Sequence, residues 1–89
     1  MRPQSIYRIY TEQKNKDAIV DLLASQFESF TLQPTLGYYR KEPEKSIVIQ
    51  IVGAKASAIR RLAEGIRKMN GQKSILILKS DARTETHRG

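Results

Sequence analysis

Residues 45–52 read KSIVIQIV and residues 54–70 read AKASAIRRLAEGIRKMN, and these two stretches decide the fold. The first is a run of β-branched residues, which is typical of a strand. In the second, apolar residues recur at helical spacing, at Ile59, Leu62, Ala63, Ile66 and Met69. Gly53 separates the two stretches, so the sequence predicts a strand that leads directly into an amphipathic helix.

The same plan occurs earlier in the chain. Residues 5–10 (SIYRIY) predict a strand, and a helix over about residues 15–28 follows, with Asn15 as its N-cap. The helix has an apolar face of Ile19, Leu22, Leu23 and Phe27. Residues 29–40 are strand-like, residues 41–44 form a charged turn, and residues 73–79 (KSILILK) predict the last strand. Asn70 and Gly71 predict the C-terminal cap of the second helix.

The predicted order is βαββαβ, the ferredoxin-like α+β plan. Right-handed crossovers place both helices on one face of a four-stranded antiparallel sheet with strand order 4-1-3-2. Pro34 agrees with this order because it cannot donate to a sheet and the second strand lies at an edge. We expect one domain over residues 1–79 and a flexible basic C-terminal tail over residues 80–89, where Ala82 is the only apolar residue.

The sheet face opposite the helices is predicted to be apolar. If Ile47, Ile49 and Ile51 meet the helices, Val48 and Val52 face the other way, and the last strand is apolar on both faces. A sheet with one solvated face carries polar residues at alternate positions, and this one does not. We therefore expect a homo-oligomer, a dimer or trimer, that covers this face. The alternative is that short apolar strands are common and the face is simply exposed.

The chain carries a net charge of +7 on 89 residues, and the excess lies in its second half. Residues 1–39 hold four basic and four acidic groups, whereas residues 40–89 hold twelve basic and five acidic groups. A solvated surface explains such a balance, and so does a partner that carries phosphate or carboxylate. The third strand lacks the aromatic residues with which an RNA recognition motif stacks bases, so the specific signal of that motif is absent from the sheet.

Two groups of residues are candidates for anion binding. The turn from the third strand into the second helix offers Gly53, Lys55, Ser57 and Arg60, because backbone N–H groups at a helix start favour anions. Tyr39 in the hairpin could add a ligand platform, or could instead pack against a neighbouring subunit. The polar face of the second helix offers a nucleic-acid backbone contact through Arg60, Arg61, Arg67, Lys68 and Lys73. The alternatives are a plain strand-to-helix turn and a solvated helix face.

Little in the sequence indicates catalysis. There is no Cys, and the single His87 lies in the predicted tail, so neither a thiolate nor a pair of imidazoles exists to hold a metal. We predict no cofactor and no enzyme activity, and the weaker alternative is an enzyme with a cleft at the subunit boundary. The N-terminus lacks the apolar run of a signal peptide, and no stretch is long enough to cross a membrane. We therefore expect a cytoplasmic protein with no membrane partner.

A family resemblance rests on three features of the sequence. They are the element order, the apolar open face and the hairpin LGYYRKEPEKSIVIQIV over residues 36–52. The chain resembles the small ferredoxin-like regulators, namely PII signalling proteins, CutA-type proteins and ACT-type modules, over residues 5–79 and at the level of topology. The resemblance implies an oligomer with any ligand held between subunits, and it transfers no binding residue. The leading hypothesis is a non-catalytic, self-associating ligand-binding or regulatory module. The alternative is a sequence-nonspecific nucleic-acid-binding protein that uses the basic face of the second helix.

Overall fold

The computed structural model describes residues 2–88 and has the predicted α+β architecture. The elements, in chain order, are β1 (Arg2–Glu12), α1 (Lys16–Gln26), β2 (Thr31–Tyr39), β3 (Glu42–Val52), α2 (Ala56–Asn70) and β4 (Leu76–Thr84). Residues 1 and 89, the two ends of the predicted domain and tail, lie outside the described residues. No helix in the described part of the chain is long and apolar enough to cross a membrane.

The four strands form one antiparallel sheet in the order β2-β3-β1-β4, which confirms the predicted order. Pro34 lies on β2, at the edge of the sheet, where a residue without a backbone N–H is tolerated. The core lies between one face of the sheet and the two helices. Ile47, Ile49 and Ile51 of β3 are buried there, as predicted.

The helices bury the apolar faces that the sequence predicts, except that a different residue is buried at the end of α2. Ile19 and Leu23 of α1 are fully buried, and so are Leu62 and Ile66 of α2. Met69 was predicted to continue the α2 stripe but is 39% exposed, and Asn70 is buried instead. Asn70 follows Ile66 by four residues and so lies on the same stripe, and its amide is accommodated by polar partners described below.

Strands β1 and β4 are longer than the sequence predicts. The prediction ended β4 at Lys79, but the strand continues to Thr84, so the first five residues of the predicted tail belong to the sheet. These polar residues carry little strand propensity, and tertiary pairing with β1 decides their structure. The Ser5 hydroxyl donates to Asp81 at 3.2 Å, and the Thr84 hydroxyl donates to the side chain of Gln4.

The turn between β2 and β3 is tighter than predicted. Residues 41–44 were predicted as the turn, but β3 begins at Glu42, so only Arg40 and Lys41 connect the strands. Both have positive φ, 50° and 68°, as in the two-residue hairpin turns that match strand twist. These turns usually contain Asn and Gly, so Arg-Lys gave no signal for one in the sequence. At the far end of α2, Gly71 has φ 65° and its N–H bonds the carbonyls of Arg67 and Lys68, which confirms the predicted cap.

Candidate functional site

The sheet face away from the helices, here called the open face, is apolar and exposed at one edge. Leu76 and Leu78 of β4 lie on it and are 54% and 45% exposed, and Val52 of β3 is also exposed. Ile6, Tyr10 and Val48 lie beside them and are half-buried. The predicted apolar character of this face is therefore present in the structure.

The hairpin of β2 and β3 projects from the body, and every residue from 36 to 45 is exposed. We call this segment the hairpin arm. Strand alternation places Leu36 and Tyr38 on one side of the arm and Tyr39, Glu42 and Glu44 on the other, which continues the open face. The guanidinium of Arg40 lies 5.3 Å from the centre of the Tyr39 ring, so one face of that ring already has a cation–π partner.

A cleft of about 650 Å³ lies at the arm end of the body. It lies where β1 ends and β3 begins, next to the loop that follows α2. Its lining is Tyr10, Thr11, Glu12, Gln13, Lys14, Glu44, Lys45, Ser46 and Gln72. The ammonium of Lys14 is 2.9 Å from Glu12, whereas Lys45 has no ion pair within residues 2–88. Lys45 is therefore the cation that the cleft offers to an anion.

A hydrogen-bonded polar cluster supports one wall of this cleft. Thr11 donates to the side-chain oxygen of Gln72 at 2.5 Å and accepts from Asn70 at 3.0 Å. Asn15 donates to the Asn70 side-chain oxygen at 2.8 Å. Asn15 was predicted to cap α1 and does precede it, but its φ is 57° and its side chain makes no cap hydrogen bond. The side chain is instead committed to α2, so the cluster joins the start of α1 to the end of α2.

The predicted residues Gly53, Lys55, Ser57 and Arg60 lie at the other end of the sheet. Gly53 has φ 79° and its N–H bonds the carbonyl of Ser5 at 2.8 Å, so this N–H is not available to a ligand. Lys55 occupies the N-cap of α2 without a side-chain cap. The first N–H groups of α2, at Ala56 and Ser57, therefore have no side-chain acceptor. A shallow polar pocket of about 330 Å³ lies beside Gly53, lined also by Pro3, Gln4, Ser5 and Ala54.

Within one chain, Tyr39 does not lie near the predicted anion-binding residues at the start of α2. It pairs with Glu42 at the first residue of β3, whereas Gly53 follows the last residue of that strand. Ten residues of strand separate the two ends by about 33 Å. A single ligand could contact Tyr39 and Lys55 only if two copies of the chain contributed to one site.

The basic face of α2 is only partly available for a partner. Arg67 donates to both carboxylate oxygens of Glu64, at 2.9 and 2.6 Å, and to the carbonyl of Gln72 at 3.0 Å. The hydrogen bonds from Arg67 hold the pKa of Glu64 below its ordinary value of 4.5, and the positive charges of Arg67 and Lys68 act in the same direction. Arg60 and Arg61 are exposed and have no ion pair within residues 2–88. Of the five predicted cations, Arg67 is thus a structural residue at the helix end.

Comparison with known proteins gives the fold and no closer relationship. No protein-family model matches the chain, and no curated protein matches it in sequence. A DUF3240 family protein from Shewanella baltica OS155 superposes with a TM-score of 0.73 at 15% identity, over 100% of both chains. CPII, a nitrogen regulatory PII-like protein from Thiomonas intermedia K12 bound to ADP, AMP and bicarbonate, gives 0.67 at 18% identity over 98% of both chains. CutA1 from Oryza sativa gives 0.61 at 6% identity, over 94% of this chain and 84% of its own.

The chain shares the ferredoxin-like topology of these proteins. This confirms the predicted resemblance to PII-like and CutA-type proteins at the level of topology. At these identities the likeness concerns the fold alone.

The cleft was missed from the sequence because its lining comes from three separate segments. Thr11 and Gln72 are 61 residues apart, and neither belongs to a recognisable motif. The only available signal was the polar Thr11 at a position that continues the alternation of Tyr7 and Ile9, both of which face the core. Within residues 2–88 no group of three or more His, Cys, Asp or Glu lies close enough to hold a metal ion.

Proposed function

We propose that this chain is a non-catalytic, self-associating module that binds a small anionic ligand in a regulatory role. The observation that carries the proposal is the apolar open face, with Leu76, Leu78 and Val52 exposed on it. Contiguous exposed apolar surface of this kind marks an interaction site. A second copy of the chain is the partner that is always present at equal concentration.

The shape of the chain supports self-association. Its accessible surface is 6742 Å², whereas a folded monomer of 10.2 kDa has about 5,300 Å². Its radius of gyration is 14.0 Å, whereas a compact domain of this length has about 12 Å. The surplus of about 1,400 Å² exceeds the surface of about 800 Å² that each partner buries in a standard interface.

Sedimentation equilibrium at micromolar concentration tests self-association. We expect a dimer or trimer, and a monomer would contradict the proposal. Leu76→Asp, on the open face and opposite Tyr10, is expected to weaken the assembly because it would bury a carboxylate in an apolar contact. Met69→Asp is the matched control, because Met69 is also an exposed apolar residue but lies on α2.

The ligand class is supported by charge and by the structural neighbour. CPII is bound to ADP, AMP and bicarbonate, all of which are anions. In this chain the cleft beside Lys45 is favoured over the start of α2, because it is the larger of the two cavities and has a buried polar wall. The predicted set Gly53, Lys55, Ser57 and Arg60 remains a prediction, and it is tested in the same experiment.

Calorimetric titration with ADP and with inorganic phosphate tests the ligand. Lys45→Glu is expected to abolish binding in the cleft, and Lys55→Glu is expected to leave it unchanged. The reverse result would move the ligand to the start of α2. Absence of heat with both compounds and the unmodified chain would count against a nucleotide or phosphate ligand, while leaving self-association intact.

Nucleic-acid binding is the second candidate, and the exposed Arg60 and Arg61 on α2 favour it. Such contacts would be with the phosphate backbone and would weaken steeply with salt. A labelled duplex and a labelled single strand should be titrated at low and moderate salt. If Arg60→Glu with Arg61→Glu does not reduce binding at low salt, α2 is not the contact surface.

A further inference from the structure

Arg8 is a charged residue in the middle of the open face. It pairs with Gln50 on β3 and with Leu78 on β4, and Ile6 and Tyr10 flank it on the same side of β1. Its side chain is half-buried. No carboxylate within residues 2–88 forms an ion pair with its guanidinium.

Covering the open face removes water from Arg8. A buried guanidinium without an acceptor is costly, so whatever covers this face has to supply a carboxylate or equivalent acceptors. A two-fold contact that placed Arg8 against the Arg8 of another copy would instead bring like charges together. The partner surface therefore has to offer hydrogen-bond acceptors to Arg8, and a carboxylate is the acceptor that pairs most strongly with a guanidinium.

Most acidic residues of the chain cannot provide that carboxylate. Glu12 is paired with Lys14, and Glu64 is paired with Arg67. Asp17 and Asp21 lie on α1, on the other side of the sheet, and Asp81 pairs with Ser5 towards the helix side. Glu28 lies in the loop between α1 and β2, and Glu85 follows the end of β4, so neither is on a strand of the open face. Glu42 and Glu44 remain, on the side of the hairpin arm that continues the open face and without an ion pair within residues 2–88.

The carboxylates of the arm cannot reach Arg8 in their own chain. Arg8 pairs with Gln50, and Glu44 lies six residues earlier on the same strand. That separation is about 20 Å of strand, which is well beyond the length of the two side chains. The same carboxylates can reach Arg8 only from another copy.

We propose that the hairpin arm of a second copy lies across the open face, with Glu42 or Glu44 of that copy paired with Arg8. Tyr39 lies on the same side of the arm and would rest on the exposed Leu76 and Leu78. The contact joins two different surfaces, so it closes either as a two-fold exchange of arms or as a ring. This inference rests on the self-association in the proposed function and names the residues that direct it.

A charge reversal tested by sedimentation decides between the outcomes. Arg8→Glu and, separately, Glu42→Arg with Glu44→Arg are each expected to weaken association at least tenfold, because each leaves a desolvated charge opposite a like charge. The combined triple variant is expected to regain association. Glu85→Arg is the matched control, since Glu85 follows β4 and lies far from Arg8 along the strand. Circular dichroism checks that each variant is folded.

Each result has a separate meaning. A monomeric unmodified chain would overturn both the proposed self-association and this contact. An unmodified oligomer that tolerates Arg8→Glu would overturn the contact alone. Dissociation by Arg8→Glu without recovery in the triple variant would also overturn it, because Arg8 would then have another partner. The arm positions are exposed, so the arm variants carry the test even if Arg8→Glu does not fold.

Discussion

At the scale of single residues, the polar cluster of Thr11 and Asn70 is the least expected part of the core. The two side chains are only 3% and 5% exposed, and within residues 2–88 no buried side-chain N or O atom lacks a hydrogen-bond partner. A buried polar group is tolerated when it is satisfied and costly when it is not. The cluster therefore fixes how α1 and α2 meet, in a way that an apolar contact would not.

Replacing Thr11 with Val keeps the shape of the side chain and removes its hydroxyl. Asn70 then loses an acceptor and Gln72 loses a donor, so we expect the free energy of unfolding to fall by about 1–2 kcal/mol. Urea unfolding at one fixed protein concentration measures this, since association would otherwise shift the midpoint. Thr31→Val, at an exposed position of β2, is the control, and equal effects of the two changes would contradict the role of the cluster.

At the scale of elements, the turn of the hairpin arm is strained. Arg40 and Lys41 both have positive φ, a conformation that costs a residue with a Cβ about 1–2 kcal/mol. Such strain is common where a segment has a function to perform. Here it gives the shortest possible connection between β2 and β3 and keeps the arm narrow.

Lys41→Gly should relieve part of this strain. Glycine adopts φ 68° without a steric penalty, so we expect the free energy of unfolding to rise by about 1 kcal/mol. Thermal or urea unfolding checks the change. Lys45→Gly, in the extended strand β3, is the control and is expected to destabilise, because glycine gains nothing there and loses conformational entropy.

The sequence predicts the helices and strands correctly where the apolar periodicity is strong, but it places several of their boundaries wrongly. The stripes of β3 and α2 are long and regular, so the sequence predicts both the elements and the face that each one buries. The boundary of β4 depends on pairing with a strand more than 70 residues away, and local propensity in Ser80–Thr84 contains no trace of it. The cleft was equally unpredictable from local sequence, because Thr11 and Gln72 come together only after folding.

At the scale of the whole molecule, the folded unit extends beyond the predicted boundary at residue 79. Residues 80–84 complete the sheet against the start of β1. Apolar surface on the open face, the elongated shape and the Arg8 cation without an ion pair within residues 2–88 are the features on which the proposed self-association rests. The sequence predicted the apolar face, but not that the hairpin arm would be exposed or that Arg8 would lie in the middle of this face.

Two truncations test where the folded unit ends. A chain that stops after Thr84 keeps β4 whole and is expected to unfold at the same urea concentration as the full chain. A chain that stops after Lys79 exposes the ladder groups of β1 from Arg2 to Ile6, and we expect a clearly lower midpoint. Equal midpoints for the two truncations would show that residues 80–84 contribute nothing to stability.

The central position of β1 also sets the order in which the chain can fold. Its two neighbours, β3 and β4, are both synthesised after it, and Ile6 pairs with Val52 on one side and Ser80 on the other. Contacts between residues so far apart in sequence form slowly, since long loops have to close first. During translation β1 therefore cannot complete its pairing until β4 has been synthesised. We expect the nascent chain to remain open to chaperones until residue 84 has left the ribosome.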